Sequence, residues 1–430
     1  MTLRKAPVIA DDIHFGGPEH VFRRVGDGHY QLTIVEHGIE FDADRLWREK
    51  DELKGELSVA CGLKGARTID GLLSTGNFNF SASRTRKEHG SRLRERARTG
   101  EAVDWDGLLE ELCLRVIAAE RQGQPARLLH TFDLPAPDES YEIDGMVLLK
   151  RHPVMLFGDG GTAKSYLGLY LAGQLARRGV SVLFADWELA GEDHRERLGK
   201  LFGDHLPQIH YVRCAHPLVR EADQLRRQIE ELGIHYVMCD SVAFAADGAP
   251  ESAEVAMAYF RAVRQMGVGS LHIAHVTKQR DDDEKGTQGN QKPFGSTFWH
   301  NSARATWYVK RADDTTDDGR VTIGLYNRKA NMGRLRPAVG YEFDFQAEAT
   351  YVSRANLADV ADLASGLPIR ARLQHALKHG PLTIAGLAEE IGARPDSVEK
   401  ALKRNPMFLR LASTSTGVHQ WGLAERNRGE

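Results

Sequence analysis

The sequence predicts an α/β protein: a mostly parallel sheet with covering helices, flanked by an N-terminal α+β domain and a C-terminal winged helix-turn-helix. Three observations carry that expectation. Short apolar runs alternate with amphipathic segments from Tyr141 onward. A proline-bearing stretch, Thr131 to Ser140 (TFDLPAPDES), separates this pattern from what precedes it. Three short helical segments with Gly and Pro at their joints close the chain. At 430 residues the chain exceeds one core, and about 150 residues per domain anticipates three units. We place them at 1–135, 141–350 and 366–430.

Composition narrows the class. Hydrophobic residues at 41% and charged residues at 27% describe an ordinary globular chain and exclude a fibrous or disordered one. No run approaches the ~18 apolar residues that cross a bilayer, and the start, MTLRKAPVIADDIHFGG, lacks a signal-peptide apolar region. A cytoplasmic protein with no membrane partner is therefore expected. Cys61, Cys113, Cys214 and Cys239 lie far apart, outside any CxxC or Cys/His metal spacing, and read as reduced core or surface thiols. The net charge of −3 leaves no global basic field, so contact with nucleic acid falls to local patches. Ser83 to Arg98 carries seven Lys/Arg against two acids, and the segment from Gly366 carries ten against six. Such runs are more often solvated helix faces than binding sites.

The first ~135 residues offer a strand-like run, HYQLTIVEHGIEF, and helical patterns in DADRLWREKDELKGEL and WDGLLEELCLRVIAAERQ, without a chemical motif. Parallel strands are expected at Pro153 to Phe157, Ser181 to Ala185, Ile209 to Arg213, His235 to Cys239 and Ser270 to His275. Three further β runs, Ala305 to Lys310, Val321 to Tyr326 and Tyr341 to Phe345, make an antiparallel finish. Beyond Ala364 to Pro368, the segments IRARLQHALKHG, PLTIAGLAEEIG and RPDSVEKALKRN read as helices and FLRLASTSTGVHQWGLA as a hairpin.

The chemistry starts in VMLFGDGGTAKSYLGLYLAGQLA, where a strand, a glycine-rich turn and a helix follow one another. Gly158, Asp159, Gly160, Gly161, Thr162, Ala163, Lys164 and Ser165 form a P-loop. Its N–H groups and the helix dipole hold phosphate oxygens. Lys164 reaches the β and γ phosphates, and Ser165 offers a hydroxyl to Mg²⁺. The spacing matches GxxxxGK[ST] except that Ala163 replaces the last glycine. ATP and Mg²⁺ are the expected cofactors. Glu188, just beyond the strand SVLFADWE, is placed to polarise the attacking water. Asp240, closing IHYVMCD, is a Walker B carboxylate for the Mg²⁺ shell. His275, closing SLHIAH, is a γ-phosphate sensor or a satisfied core histidine. The polar loop QRDDDEKGTQGNQKPFGS that follows, with Lys285 and Lys292, is a candidate DNA contact.

With these motifs in order, the region from about Tyr141 to Phe345 resembles the RecA-type ATPases, and within them the RepA-like and DnaB-like hexameric helicases. GDGGTAKS looks like the family's Walker A, ADWE like the strand ending in its catalytic Glu, and CDS like its Walker B. AHVTK and PFGSTFWHNSARATWYVK are similar to its sensor strand and the helix behind it. GLYNRKANMGRL looks like its basic finger hairpin. The resemblance implies that Lys329, with Arg328, reaches a neighbour's γ-phosphate, so that the protein forms a ring, expected to be a hexamer. It covers about half the chain, and Ala163 and the N-terminal region depart from it.

Two functions compete. The first is a ring-forming helicase or translocase acting on DNA in replication or mobile-element biology. The second is a DNA-bound ATP switch that assembles or regulates partners, with Arg394, Ser397, Lys400 and Lys403 on a recognition helix. The N-terminal domain or the winged helix is a candidate contact for a protein partner in either case. A metabolic P-loop kinase is disfavoured, because no acceptor-binding lid motif is present.

Overall fold

The computed structural model describes residues 20–98, 102–123, 126–134, 139–275, 296–313, 319–413 and 418–424. The chain divides into two compact units, one ending at Leu134 and the other beginning at Pro135. Residues 135–138 of the expected linker lie outside the described residues.

The first unit is an antiparallel meander of β1 (His20–Gly26), β2 (His29–Ile34), β3 (Ile39–Glu49), β4 (Glu52–Cys61) and β5 (Leu72–Asn79). Helices α1 (Ser83–Ala97) and α2 (Trp105–Gln122) follow. Phe41, Phe80, Trp105 and Leu109 are fully buried in the common core. The helix expected over residues 42–57 is instead the β3–β4 hairpin. Its charged residues suit a helix, but burial alternates strictly from Leu53 to Cys61, which is the period of a strand. Lys50 turns the chain at φ +55°. The basic run Ser83 to Arg98 forms α1, where Arg86 and Arg94 pair with Glu110 and Asp106 of α2 at 2.7 and 2.5 Å. Those two cations fasten helix to helix.

The second unit opens with a hairpin of β6 (Ser140–Ile143) and β7 (Met146–Leu149). Its main sheet contains β8 (Pro153–Gly158), β9 (Val182–Asp186), β10 (His210–Arg213), β11 (Tyr236–Asp240), β12 (Gly269–His275), β13 (Ala305–Arg311), β14 (Arg320–Ala330), β15 (Val339–Phe345) and β16 (Thr350–Ala355). The order is β10-β9-β11-β12-β8-β13-β14-β15-β16, with β8 to β13 parallel and the last three antiparallel. The eight expected strands are all present.

Between strands run α3 (Lys164–Arg177), α4 (Gly191–Phe202), α5 (Leu218–Glu231), α6 (Val242–Ala245), α7 (Ala253–Gln265) and α8 (Thr297–Ser302). On α3, Leu167, Leu171 and Leu175 recur every fourth residue and are fully buried on one sheet face with the β6–β7 hairpin. Leu218, Leu225 and Ile229 of α5, with Tyr259 and Phe260 of α7 and Trp299 of α8, cover the other. Each such side chain contributes about 1.5–3 kcal/mol on burial. Gly168 lets α3 lie close on β12, since a Cβ there would meet Ile273 Cδ1 at 2.7 Å.

After the short helix α9 (Ala361–Ala364) come α10 (Ile369–Ala376), α11 (Ile384–Glu390) and α12 (Pro395–Arg404). A small sheet joins β17 (Leu382–Thr383), β19 (His419–Leu423) and β18 (Phe408–Ser413) in that order. Leu373, Leu387, Val398, Leu402 and Trp421 build a separate core there. All four cysteines are free and buried. Among the described residues, no helix is long and apolar enough to cross a membrane.

Candidate active site

Parallel strands place their C-terminal ends along one edge, and the polar tips gather there. In register, Asp240 of β11 lies beside Asp186 of β9 and Ile273 of β12, and His275 lies beside Gly158, where the P-loop begins. The glycine at 158 is required by close packing, because a Cβ would meet the Val309 carbonyl of β13 at 2.4 Å. Gly161 takes φ +70°, and Ala163 takes φ +55° and ψ 23° immediately before α3. The replaced glycine position is thus left-handed and carries a methyl group, a conformation that costs an L-residue about 1–2 kcal/mol.

Lys164 is 4% exposed. Its Nζ donates to the carbonyls of Gly158 at 3.0 Å and Asp159 at 2.5 Å and to Thr162 Oγ1 at 3.1 Å. Burial pulls its pKa down to about 8, against the opposing charges of Asp159, Asp240 and Glu188. An ammonium held among P-loop oxygens at that cost is poised to exchange them for phosphate oxygens.

Asp240 is 2% exposed, and burial pushes its pKa up to about 6 despite a hydrogen bond with Ser165; Glu188 and Asp186 push the same way. Its Oδ1 has no hydrogen-bond partner. A buried, unpartnered carboxylate oxygen bonded through its group to a P-loop hydroxyl fits a hard divalent cation, so Ser165 and Asp240 are suited to hold Mg²⁺. The peptide bond between Asp240 and Ser241 is cis. Burial and Lys164 both lower the pKa of His275.

Glu188 is exposed just beyond β9, within electrostatic reach of Lys164 and Asp240. Its turn is built on a residue that sequence reasoning missed, Asp186. This carboxylate is fully buried and accepts from the N–H groups of Glu188 at 2.9 Å and Leu189 at 3.1 Å and from Tyr211 Oη at 3.1 Å. His194 Nε2 lies 3.2 Å away, an ion-pair distance without in-line hydrogen-bond geometry. Burial opposes ionisation of Asp186, but His194 and the two N–H groups outweigh it and hold its pKa below the usual value. The acid one residue before Trp187 was the available signal.

A second missed group is Arg311 at the end of β13, whose Nη1 donates to the Gly161 carbonyl at 3.2 Å. Lys329 is not part of this cluster. It pairs with Thr306, which is level with Met155, about three residues or ~10 Å below the P-loop edge. Its Nζ donates to the carbonyls of His300, Asn301 and Ala303 at 2.9, 2.6 and 2.8 Å and so ties down the end of α8. Burial and Arg304 lower its pKa. Arg328 lies against the rings of Tyr308 and Tyr326, 5.5 Å from each centroid. Lys278, Lys285 and Lys292 lie outside the described residues.

Residues 122–281 match the family model described as AAA domain. With the P-loop between β8 and α3 and the carboxylates at the neighbouring strand tips, the central region is similar to P-loop ATPase domains. Among solved structures, the ATPase region is similar to a KaiC-like protein from the hyperthermophilic archaeon Pyrococcus horikoshii. The identity is 16% over 48% of this chain and 91% of that one, with a TM-score of 0.37. It is also similar to a DnaB-like replicative helicase solved for its interactions with primase. There the identity is 14% over 46% of this chain and 56% of that one, with a TM-score of 0.36. No curated protein matches the chain.

Proposed function

We propose that the chain is a Mg-ATP-dependent, ring-forming ATPase of the DnaB-like branch that acts on DNA as a helicase or translocase. The observation that carries the reading is the gathering of Lys164, Ser165, Asp240, Glu188 and His275 at one edge of the sheet while the basic hairpin lies at the other. Lys164 binds and orients the terminal phosphates. Glu188, held by Asp186, takes a proton from the attacking water. Ser165 and Asp240 would hold Mg²⁺, which when bound would supply charge stabilisation at the phosphates. His275, beside Gly158, senses the γ-phosphate. Lys329 and Arg328 lie too far from their own P-loop to serve it, so their catalytic role is in a neighbouring subunit, and a hexamer is the expected ring.

DNA contact is assigned to the C-terminal unit as a winged helix-turn-helix. Arg394, Lys400 and Lys403 are exposed at or along α12, and Val398 and Leu402 anchor its opposite side in the core. Ser397 is half-buried on the same helix.

The three carbonyl bonds of Lys329 Nζ favour the second reading, an ATP switch on DNA. In that reading Lys329 stays on α8 and nucleotide sets assembly without processive movement. Displacement of strands from forked and blunt duplexes separates the two. DNA-stimulated hydrolysis without displacement selects the switch. Mixtures of Glu188→Gln and Lys329→Ala protomers test the interface: each variant alone should hydrolyse poorly, and mixing should restore part of the activity. A Lys329→Ala protein with full turnover rules out the trans finger.

A further inference from the structure

A cleft of about 1180 Å³ lies beside the basic hairpin, away from the P-loop edge. Its walls come from β14, the β14–β15 connection, β16 and α10, all within the second unit. Arg328, Arg334, Arg336, His375 and Lys378 line it, and no Asp or Glu does; Arg354 also borders it, but its guanidinium lies over the Tyr341 ring on the opposite face of the sheet. Asp359, just outside, lies 3.3 Å from His375. Among the described residues no ion pair joins Arg328, Arg334, Arg336 or Lys378 to a carboxylate. The pairing of Arg226 with both Asp223 and Glu230 shows the usual alternative. Arg328 rests on tyrosine rings, and its Nε is buried without a partner.

Four uncompensated cations, Arg328, Arg334, Arg336 and Lys378, in one concavity raise the local potential and select an anion. Their spread over three chain segments, in a volume above that of a typical small-molecule pocket, selects an extended polyanion over a single phosphate. A basic groove beside aromatic side chains is the arrangement that tracks a nucleic-acid backbone. We propose that this cleft binds the phosphodiester backbone of a single nucleic-acid strand. It couples that strand to the hairpin carrying Arg328 and Lys329 on one side and to α10 on the other. The inference rests on the DNA-directed reading above and adds the place of contact.

The test uses the full chain and a fluorescent thymidine oligonucleotide, titrated by anisotropy at several salt concentrations without nucleotide. Arg336→Gln/Lys378→Gln removes two backbone contacts at positions outside the ATPase machinery. The slope of log affinity against log salt should flatten by about 1.4, at ~0.7 per contact on a single strand, which is a loss of about 25-fold near 0.1 M salt. DNA-free ATP turnover should be unchanged. Arg336→Lys/Lys378→Arg should restore binding, which separates charge from folding. An unaltered slope and affinity overturn the cleft assignment alone. Loss of DNA-free turnover with oligonucleotide binding intact also overturns it and gives the cleft to a neighbour's nucleotide. If the wild-type chain binds no oligonucleotide, the cleft assignment and the DNA-directed reading fall together.

Discussion

Replacing Asp186 by Asn changes one atom at the base of the turn that carries Glu188. The native carboxylate takes the N–H groups of Glu188 and Leu189 at 2.9 and 3.1 Å. Tyr211 Oη at 3.1 Å and His194 at 3.2 Å complete its surroundings. The Asn carbonyl oxygen, in the place of Oδ1, keeps the N–H groups of Glu188 and Leu189 at 2.9 and 3.2 Å, while its amide faces Tyr211 and His194. The hydroxyl rotates and the imidazole changes tautomer to accept from it. What is lost is the charge assistance of the two backbone bonds, about 1–1.5 kcal/mol each. A turn weakened by about 2–3 kcal/mol lets Glu188 wander by a fraction of an ångström to an ångström, for which a rate loss on the order of 10²-fold is ordinary. We therefore expect kcat for ATP hydrolysis to fall about 10- to 100-fold, with the KM for ATP and the affinity for a non-hydrolysable analogue changed less than about threefold. Steady-state turnover and analogue binding read the two separately. Equal losses in both, or full turnover in a measurably destabilised protein, would refute the positioning role.

Three further outcomes are expected. Lys164→Ala should abolish binding of a fluorescent ATP analogue, because the backbone cradle leaves the γ-phosphate charge unmatched; turnover in that variant would remove the P-loop assignment. Ala163→Gly should relieve about 1–2 kcal/mol of left-handed strain against about 0.4–1 kcal/mol of added unfolded-state freedom, and raise Tm by about 1–3 °C. A lower Tm would mean that the methyl group's packing outweighs its strain. His272 is fully buried between Tyr259 Oη and Ser270 Oγ at 2.8 Å each, and burial pulls its pKa down to about 3. The unfolded chain therefore takes up a proton below pH ~6.5 that the native state refuses, so stability present above that pH is lost as pH falls. The loss should reach about 2 kcal/mol at pH 5. Urea unfolding should show this in wild type and not in His272→Gln, and equal pH slopes in both would discard the account.

The sheet was legible because its strands are uninterrupted apolar runs that end in a polar side chain, a pattern that survives without knowledge of neighbours. Leu183 and Val237 are adjacent in space for the same reason that each was readable alone. The β16 segment TYVSRA was not readable, since an edge strand with one buried residue has no apolar run to mark it. DADRLWREKDELKGEL misled because its charges fall at spacings that suit a helix while its buried residues alternate. Glu188 and Asp240 were found as acids closing strands. Asp186 was passed over because its role lies in backbone groups that only the folded turn brings round it. Lys329 carried the right residue type, but its level in the sheet is a matter of register, and register is fixed by pairing with β13.

That register has a chemical consequence. Because β14 runs antiparallel to β13, the chain that leaves the P-loop edge on β13 returns along β14 toward the opposite edge. The pairing that buries Tyr326 and Leu325 also carries Arg328 and Lys329 away from their own nucleotide. Among the described residues, a hydrolysis site complete within one subunit would then draw on Lys164 and Arg311 as cations at the P-loop, and Arg311 donates to the Gly161 carbonyl of that loop. The two possibilities make opposite demands on concentration. If Lys329 acts in trans, dilution below the assembly range should extinguish turnover in proportion to the loss of oligomer, and Arg311→Gln should cost little. If Arg311 acts in cis, turnover per subunit should be independent of concentration, and Arg311→Gln should remove most of it.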